Sequence, residues 1–70
     1  MKILVCGGGS IGRRHIGNFL SLPDMEVLAC DINPERTALI EKQFKGAAKT
    51  FQNLDQALAQ KPDAVDGIRF

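Results

Sequence analysis

The chain contains no tryptophan and no tyrosine, and four phenylalanines are its only aromatic residues. A core must therefore be built mostly from aliphatic side chains. An excess of charge is also missing: nine Lys and Arg stand against eight Asp and Glu, and basic residues cluster nowhere beyond Arg13-Arg14. That balance excludes a non-specific grip on a nucleic-acid backbone. Long apolar runs are lacking as well. Met1-Lys2 is followed by only four apolar residues, too few for a signal segment, and nothing approaches the roughly 18 needed to span a membrane. A cytoplasmic protein with neither nucleic acid nor membrane as partner is expected. Cysteine is scarce too. Cys6 and Cys30 stand in separate apolar runs without CxxC spacing, so both are expected to be buried and reduced, with no metal site. With 70 residues, the chain suffices for one small domain that buries only about 60% of its unfolded surface.

What is present is a regular alternation of element types. Lys2 to Cys6 is short, apolar and ended by glycine, as a strand buried on both faces would be. From Ser10 to about Leu22 the period changes: Ile11, His15 and Phe19 are spaced by four, with Ile16 and Leu20 beside them, which predicts an amphipathic helix stopped by Pro23. Met25 to Cys30 reads as a second buried strand. Asn33-Pro34 then offers a side-chain cap and a residue that lacks an amide, a strong helix start. That helix is expected to run to about Lys45, with Leu39, Ile40 and Phe44 inward and Gly46 as its stop. Ala48 to Phe51 reads as a strand, Asn53 to Gln60 as a short helix carrying Leu54, Ala57 and Leu58, and Lys61-Pro62-Asp63 as a turn into Ala64-Val65. Strands alternating with helices predict an α/β fold: a Rossmann-like three-layer sandwich of about four parallel strands with helices on both faces.

The junction after the first strand carries the chemistry. Gly7, Gly9 and Gly12 fit G-x-G-x-x-G, following a strand and opening a helix, and about twenty residues later Asp31 ends the second strand. Gly7 would permit the tight turn, Gly9 would let a pyrophosphate lie against bare backbone, and Gly12 would let helix and strand pack closely. The free amides around Ser10 and Ile11 sit at the positive end of the helix dipole and would hold an anion. Asp31 would accept from the adenosine ribose hydroxyls and repel a 2′-phosphate, favouring NAD over NADP unless a nearby cation, Arg36 or Arg13, compensates. The alternative for Arg36 is a solvated helix residue. His15 is expected to be partly buried and locally hydrogen-bonded rather than catalytic, and Ser10 to cap the helix or touch phosphate, since no base accompanies it. Parallel strands about 4.8 Å apart would set Cys6 and Cys30 side by side beneath the crevice, where alkylation or oxidation would weaken nucleotide binding.

The strings VCGGGSIGRRHIGNFL (5–20), VLACDINPER (27–36) and KPDAV (61–65) resemble the N-terminal domain of the Gfo/Idh/MocA oxidoreductases, the family of glucose-fructose oxidoreductase and inositol dehydrogenase. The resemblance covers nearly the whole chain to Val65. It implies a domain that holds NAD, or NADP, for hydride transfer on sugars, cyclitols or related alcohols, with Gly7, Gly9, Ser10, Ile11, Gly12 and Asp31 as cofactor contacts. No catalytic residue carries over. The family's Glu-Lys-Pro lysine and its substrate domain follow the fourth strand, so residues 1–70 are expected to be a partial dinucleotide-binding domain that does not turn over substrate alone. A non-enzymatic NAD(H)-sensing or interaction module is the alternative.

The end of the chain departs from the family pattern. After Asp63-Ala64-Val65, Asp66-Gly67-Ile68-Arg69-Phe70 replaces a continuing apolar strand, and Asp-Gly is itself a hairpin-turn signal. A sheet stopped at its fourth strand is expected to cover its open edge by self-association.

Overall fold

Each apolar run becomes a strand because helices cover it from both sides. β1 (Lys2–Cys6), β2 (Glu26–Cys30), β3 (Ala48–Phe51) and β4 (Ala64–Gly67) alternate with α1 (Ser10–Leu20), α2 (Pro34–Phe44) and α3 (Leu54–Leu58). These elements belong to a computed structural model that describes residues 1–67. The four strands form one sheet with every pair parallel, in the order β3-β2-β1-β4. Parallel neighbours need crossover connections, and the helices supply them.

Successive strand residues face opposite sides of the sheet, and this produces two separate cores. Ile3, Val5, Val27, Ala29 and Ala48 pack with Ile16 of α1 and Ile40 of α2, with Phe19, Leu20 and Phe44 at the margin. On the other face Leu4, Leu28 and Cys30 pack with Ala57 of α3, and Cys6 and Phe51 lie against them. The fold is therefore the expected α/β three-layer, Rossmann-like arrangement. Leu4 is fully buried, so its truncation to alanine costs about 2–5 kcal/mol.

Capping explains where the helices begin and end. Asn33 accepts from the Glu35 amide at 2.9 Å, with Pro34 in the first position of α2. Asn53 caps α3 in the same way through Gln56 at 3.2 Å. At the end of α2, Lys45 (φ 54°) takes up the left-handed conformation one residue before the expected Gly46 (φ 78°). The first and last strands are clasped at their amino ends: the Lys2 amide donates to Asp63 Oδ2 at 2.8 Å, and the Asp63 amide returns to the Lys2 carbonyl at 2.7 Å.

Three expectations are corrected. Ile11 is 61% exposed and lies off the apolar stripe, because the first turn of α1 starts beyond the end of β1. Leu39 is also exposed, because the buried face of α2 runs through Thr37 and Ile40, as that of α3 runs through Ala57. Asp66-Gly67 forms no hairpin. It continues β4, with Asp66 opposite Val5 and Gly67 opposite Cys6, since parallel pairing to β1 satisfies this backbone without a turn. Ile68, Arg69 and Phe70, the remainder of that expected tail, lie outside the described residues.

Candidate functional site

The carboxyl ends of all four strands lie at one edge of the sheet, and the strand order reverses there. From β1 the chain moves outward through β2 to β3, then returns to the other side of β1 as β4. In open parallel sheets the crevice at such a reversal is where ligands bind. The glycine segment leaves β1 at this point.

Gly7 adopts φ 112° and its amide donates to the Cys30 carbonyl at 2.8 Å, so the expected tight turn is present and is bonded to β2. Only glycine enters that conformation without strain. Gly9 is the N-cap of α1, and a Cβ built on it would meet nothing within 4 Å. Gly12 is buried on the sheet side of α1. No side chain caps α1 and its first turn holds no acidic residue, which leaves the amides around Ser10 and Ile11 and the positive end of the dipole open to a ligand.

Asp31 is placed at this edge but is more enclosed than the sequence suggests. It is 1% exposed. Its Oδ2 accepts from the Gly8 amide at 2.6 Å, its Oδ1 from the Asn33 amide at 2.8 Å, and Arg36 approaches Oδ2 to 3.6 Å. Arg36 is the solvated helix residue of one expectation, and it also stands within 3.6 Å of Asp31. Gly8, the unassigned position within G-x-G, proves essential to this arrangement. A Cβ there would lie 3.0 Å from Arg36 Cβ and 3.1 Å from both Asp31 Oδ2 and Ile40 Cδ1. The only hint in the sequence is that three glycines run consecutively.

A groove of about 380 Å³ beside the start of α1 is lined by Ser10, Arg13, Arg14 and Gln43. Arg13 borders this groove, and its Nε is buried without a hydrogen-bond partner among the described residues. A buried unpaired donor costs about 1–3 kcal/mol, more when it is charged, and an anionic group would satisfy it. A second cleft of about 450 Å³, bordered by Pro34, Thr37, Thr50, Gln52 and Gln56, lies where β2 and β3 deliver their chain into α2 and α3.

His15 is half-exposed, and its partner is distant in sequence: Nδ1 lies 2.5 Å from Asp66 Oδ2 of β4. The expected local hydrogen bond is therefore replaced by a tie between α1 and the edge strand. It covers a carboxylate on the same sheet face as Val5.

The two cysteines are register partners in adjacent parallel strands, as their positions before the two loops predict. Both are free, with Cys30 buried and Cys6 half-buried. Burial raises the Cys6 thiol pKa, helped by the Asp66 charge. Burial likewise raises that of Cys30, followed by the influence of Cys6 and then Asp31.

Among the described residues no helix is long and apolar enough to cross a membrane, and no three His, Cys, Asp or Glu side chains gather as a metal-holding group. Comparison of the chain with protein-family models, with curated proteins and with solved structures finds no match.

Proposed function

We propose that this chain holds the adenosine and pyrophosphate end of NAD, or of NADP, as the dinucleotide-binding part of an oxidoreductase of the Gfo/Idh/MocA type. The observation that carries the reading is the uncapped amino end of α1, which opens beside the bare backbone of Gly9 at the strand-order reversal. Two phosphates there accept from amides around Ser10 and Ile11, and the Arg13 guanidinium, which borders the groove beside Ser10, adds positive charge nearby.

The ribose falls to Asp31. A carboxylate offers about four lone-pair sites, and the Gly8 and Asn33 amides use two of them. Binding therefore requires the Arg36 side chain, which is 44% exposed, to swing aside from Oδ2. In doing so Arg36 becomes available to a 2′-phosphate, which keeps NADP within reach of the site. The cleft at the ends of β2 and β3 provides room for the adenine beyond it. When bound, the nicotinamide carries a hydride to or from a sugar, cyclitol or related alcohol. The residues described here bind and orient, and none is assigned to the chemical step.

Self-association belongs to the same reading. Among the described residues β4 is an edge strand, and Val65 on it is 52% exposed. A second copy pairing along β4 would satisfy that row of backbone groups.

Calorimetric titration of the chain with NADH, NADPH and ADP-ribose tests the assignment. Heat of binding with ADP-ribose and NADH is expected, and absence of heat with all three would overturn it.

A further inference from the structure

Cys6 and Cys30 stand opposite each other at the last paired position of β1 and β2. Their side chains point to the same face, where Cys30 belongs to the cluster of Leu4, Leu28 and Ala57 and Cys6 packs against that cluster. Neighbouring strands run about 4.8 Å apart, within the Cα separation of about 4.4–6.8 Å that a disulfide spans. The Gly7 amide, bonded to the Cys30 carbonyl at 2.8 Å, fixes the two strands together immediately past the pair. The thiols also differ in access, Cys6 being half-buried and Cys30 4% exposed.

We propose that Cys6 and Cys30 form a dithiol site that reacts as a unit with low-molecular-weight disulfides and closes into a Cys6–Cys30 bond across the first two strands. This inference stands whether or not a dinucleotide binds. Cys6, the accessible partner, loses its proton and attacks one sulfur of the reagent R–S–S–R. The S–S bond breaks, the departing thiolate takes up a proton as RSH, and Cys6 carries a mixed disulfide. The Cys30 sulfur, held opposite, then attacks Cys6 Sγ and expels the second thiolate, which leaves as RSH with the proton from Cys30. Two protein thiols are oxidised by two electrons and one disulfide is reduced to two thiols. The raised thiol pKa values make the first step slow near neutral pH and faster in alkali.

The test exposes the reduced full chain to oxidised glutathione and reads intact mass and non-reducing electrophoresis. The expected product is a monomer lighter by two hydrogens that retains no glutathione. Cys30→Ala stops at one glutathionyl adduct, and Cys6→Ala reacts at least about tenfold more slowly, because its remaining thiol is buried. Two adducts on the wild-type chain, a stable single adduct, or disulfide-linked dimers would each overturn the proposal. A second measurement needs no variant: the glutathione redox ratio at which half the wild-type chain is closed, folded and in urea. Closure in the folded chain at a ratio at least about tenfold less oxidising is expected. Closure that is no easier when folded would show that the strands hold the sulfurs apart, and would also overturn it.

Discussion

The Gly8 amide donates to Asp31 Oδ2 at 2.6 Å, so the carboxylate assigned to the ribose also serves as a strut for the glycine turn. Binding chemistry and fold stability meet in that one bond, and substitutions at the two ends of the turn should separate them.

Gly8→Ala and Gly9→Ala are expected to behave oppositely. A methyl at Gly8 meets Arg36, Asp31 and Ile40 at 3.0–3.1 Å, so the variant should lose about 1–3 kcal/mol of stability. Gly9 has an ordinary backbone conformation (φ −71°) and open space around it. Its alanine variant should melt within about 0.5 kcal/mol of the parent while losing NADH affinity about tenfold or more, because the methyl occupies the phosphate's approach. Urea denaturation and calorimetric titration of the two variants give both numbers.

Asp31→Ala strands the Gly8 and Asn33 amides and should cost about 2–4 kcal/mol. Asp31→Asn keeps one acceptor oxygen and should cost less. Arg36→Ala uncovers the carboxylate, so its NADH affinity should hold or rise while that for NADPH falls. A parallel loss for both cofactors would remove Arg36 from any role in choosing between them.

Both thiols are harder to ionise in the folded chain than in the unfolded one, chiefly because of burial. A raised folded-state pKa contributes stability below the unfolded thiol pKa of about 8.5, and that contribution is lost as pH rises past it. Urea stability should fall between pH 8 and 10, and it should fall less in the Cys6→Ala, Cys30→Ala double variant. Equal slopes would mean that the thiols do not contribute. In the same pair of proteins, alkylation should weaken NADH binding in the parent relative to the double alanine variant.

Pairing along β4 should make the chain associate with concentration in sedimentation velocity. Val65→Lys on that strand should shift it toward monomer, since a charge on an exposed edge opposes strand addition. A monomer with a cooperative melt at every concentration is the contrary result.

Much of this architecture was legible because covering and connection leave clear marks in composition. β1 and β3 occupy their expected residues, and the cysteine register follows from two strands that end in equivalent loops. The errors have physical causes. Periodicity places Ile11 and Leu39 on apolar stripes, but it does not reveal where a helix overhangs the sheet or which side of the stripe meets it. Asp66-Gly67 carries local turn chemistry, and pairing to β1, distant in sequence, overrides it. The bond from Gly8 to Asp31 and the tie from His15 to Asp66 join residues far apart along the chain, so no local pattern announces them.

The Lys2–Asp63 clasp has a consequence for how the molecule comes apart. Three strands follow one another outward from the chain's start, whereas the fourth must cross back over the sheet and, among the described residues, pairs with β1 alone. Its moorings among the described residues include that backbone ladder, the reciprocal bonds at Lys2 and Asp63, Ala64 against the core, and the histidine on α1. Opening should begin by peeling away this outermost ribbon, whose amides would take up deuterium before those of the central pair, with the remaining three strands still zipped.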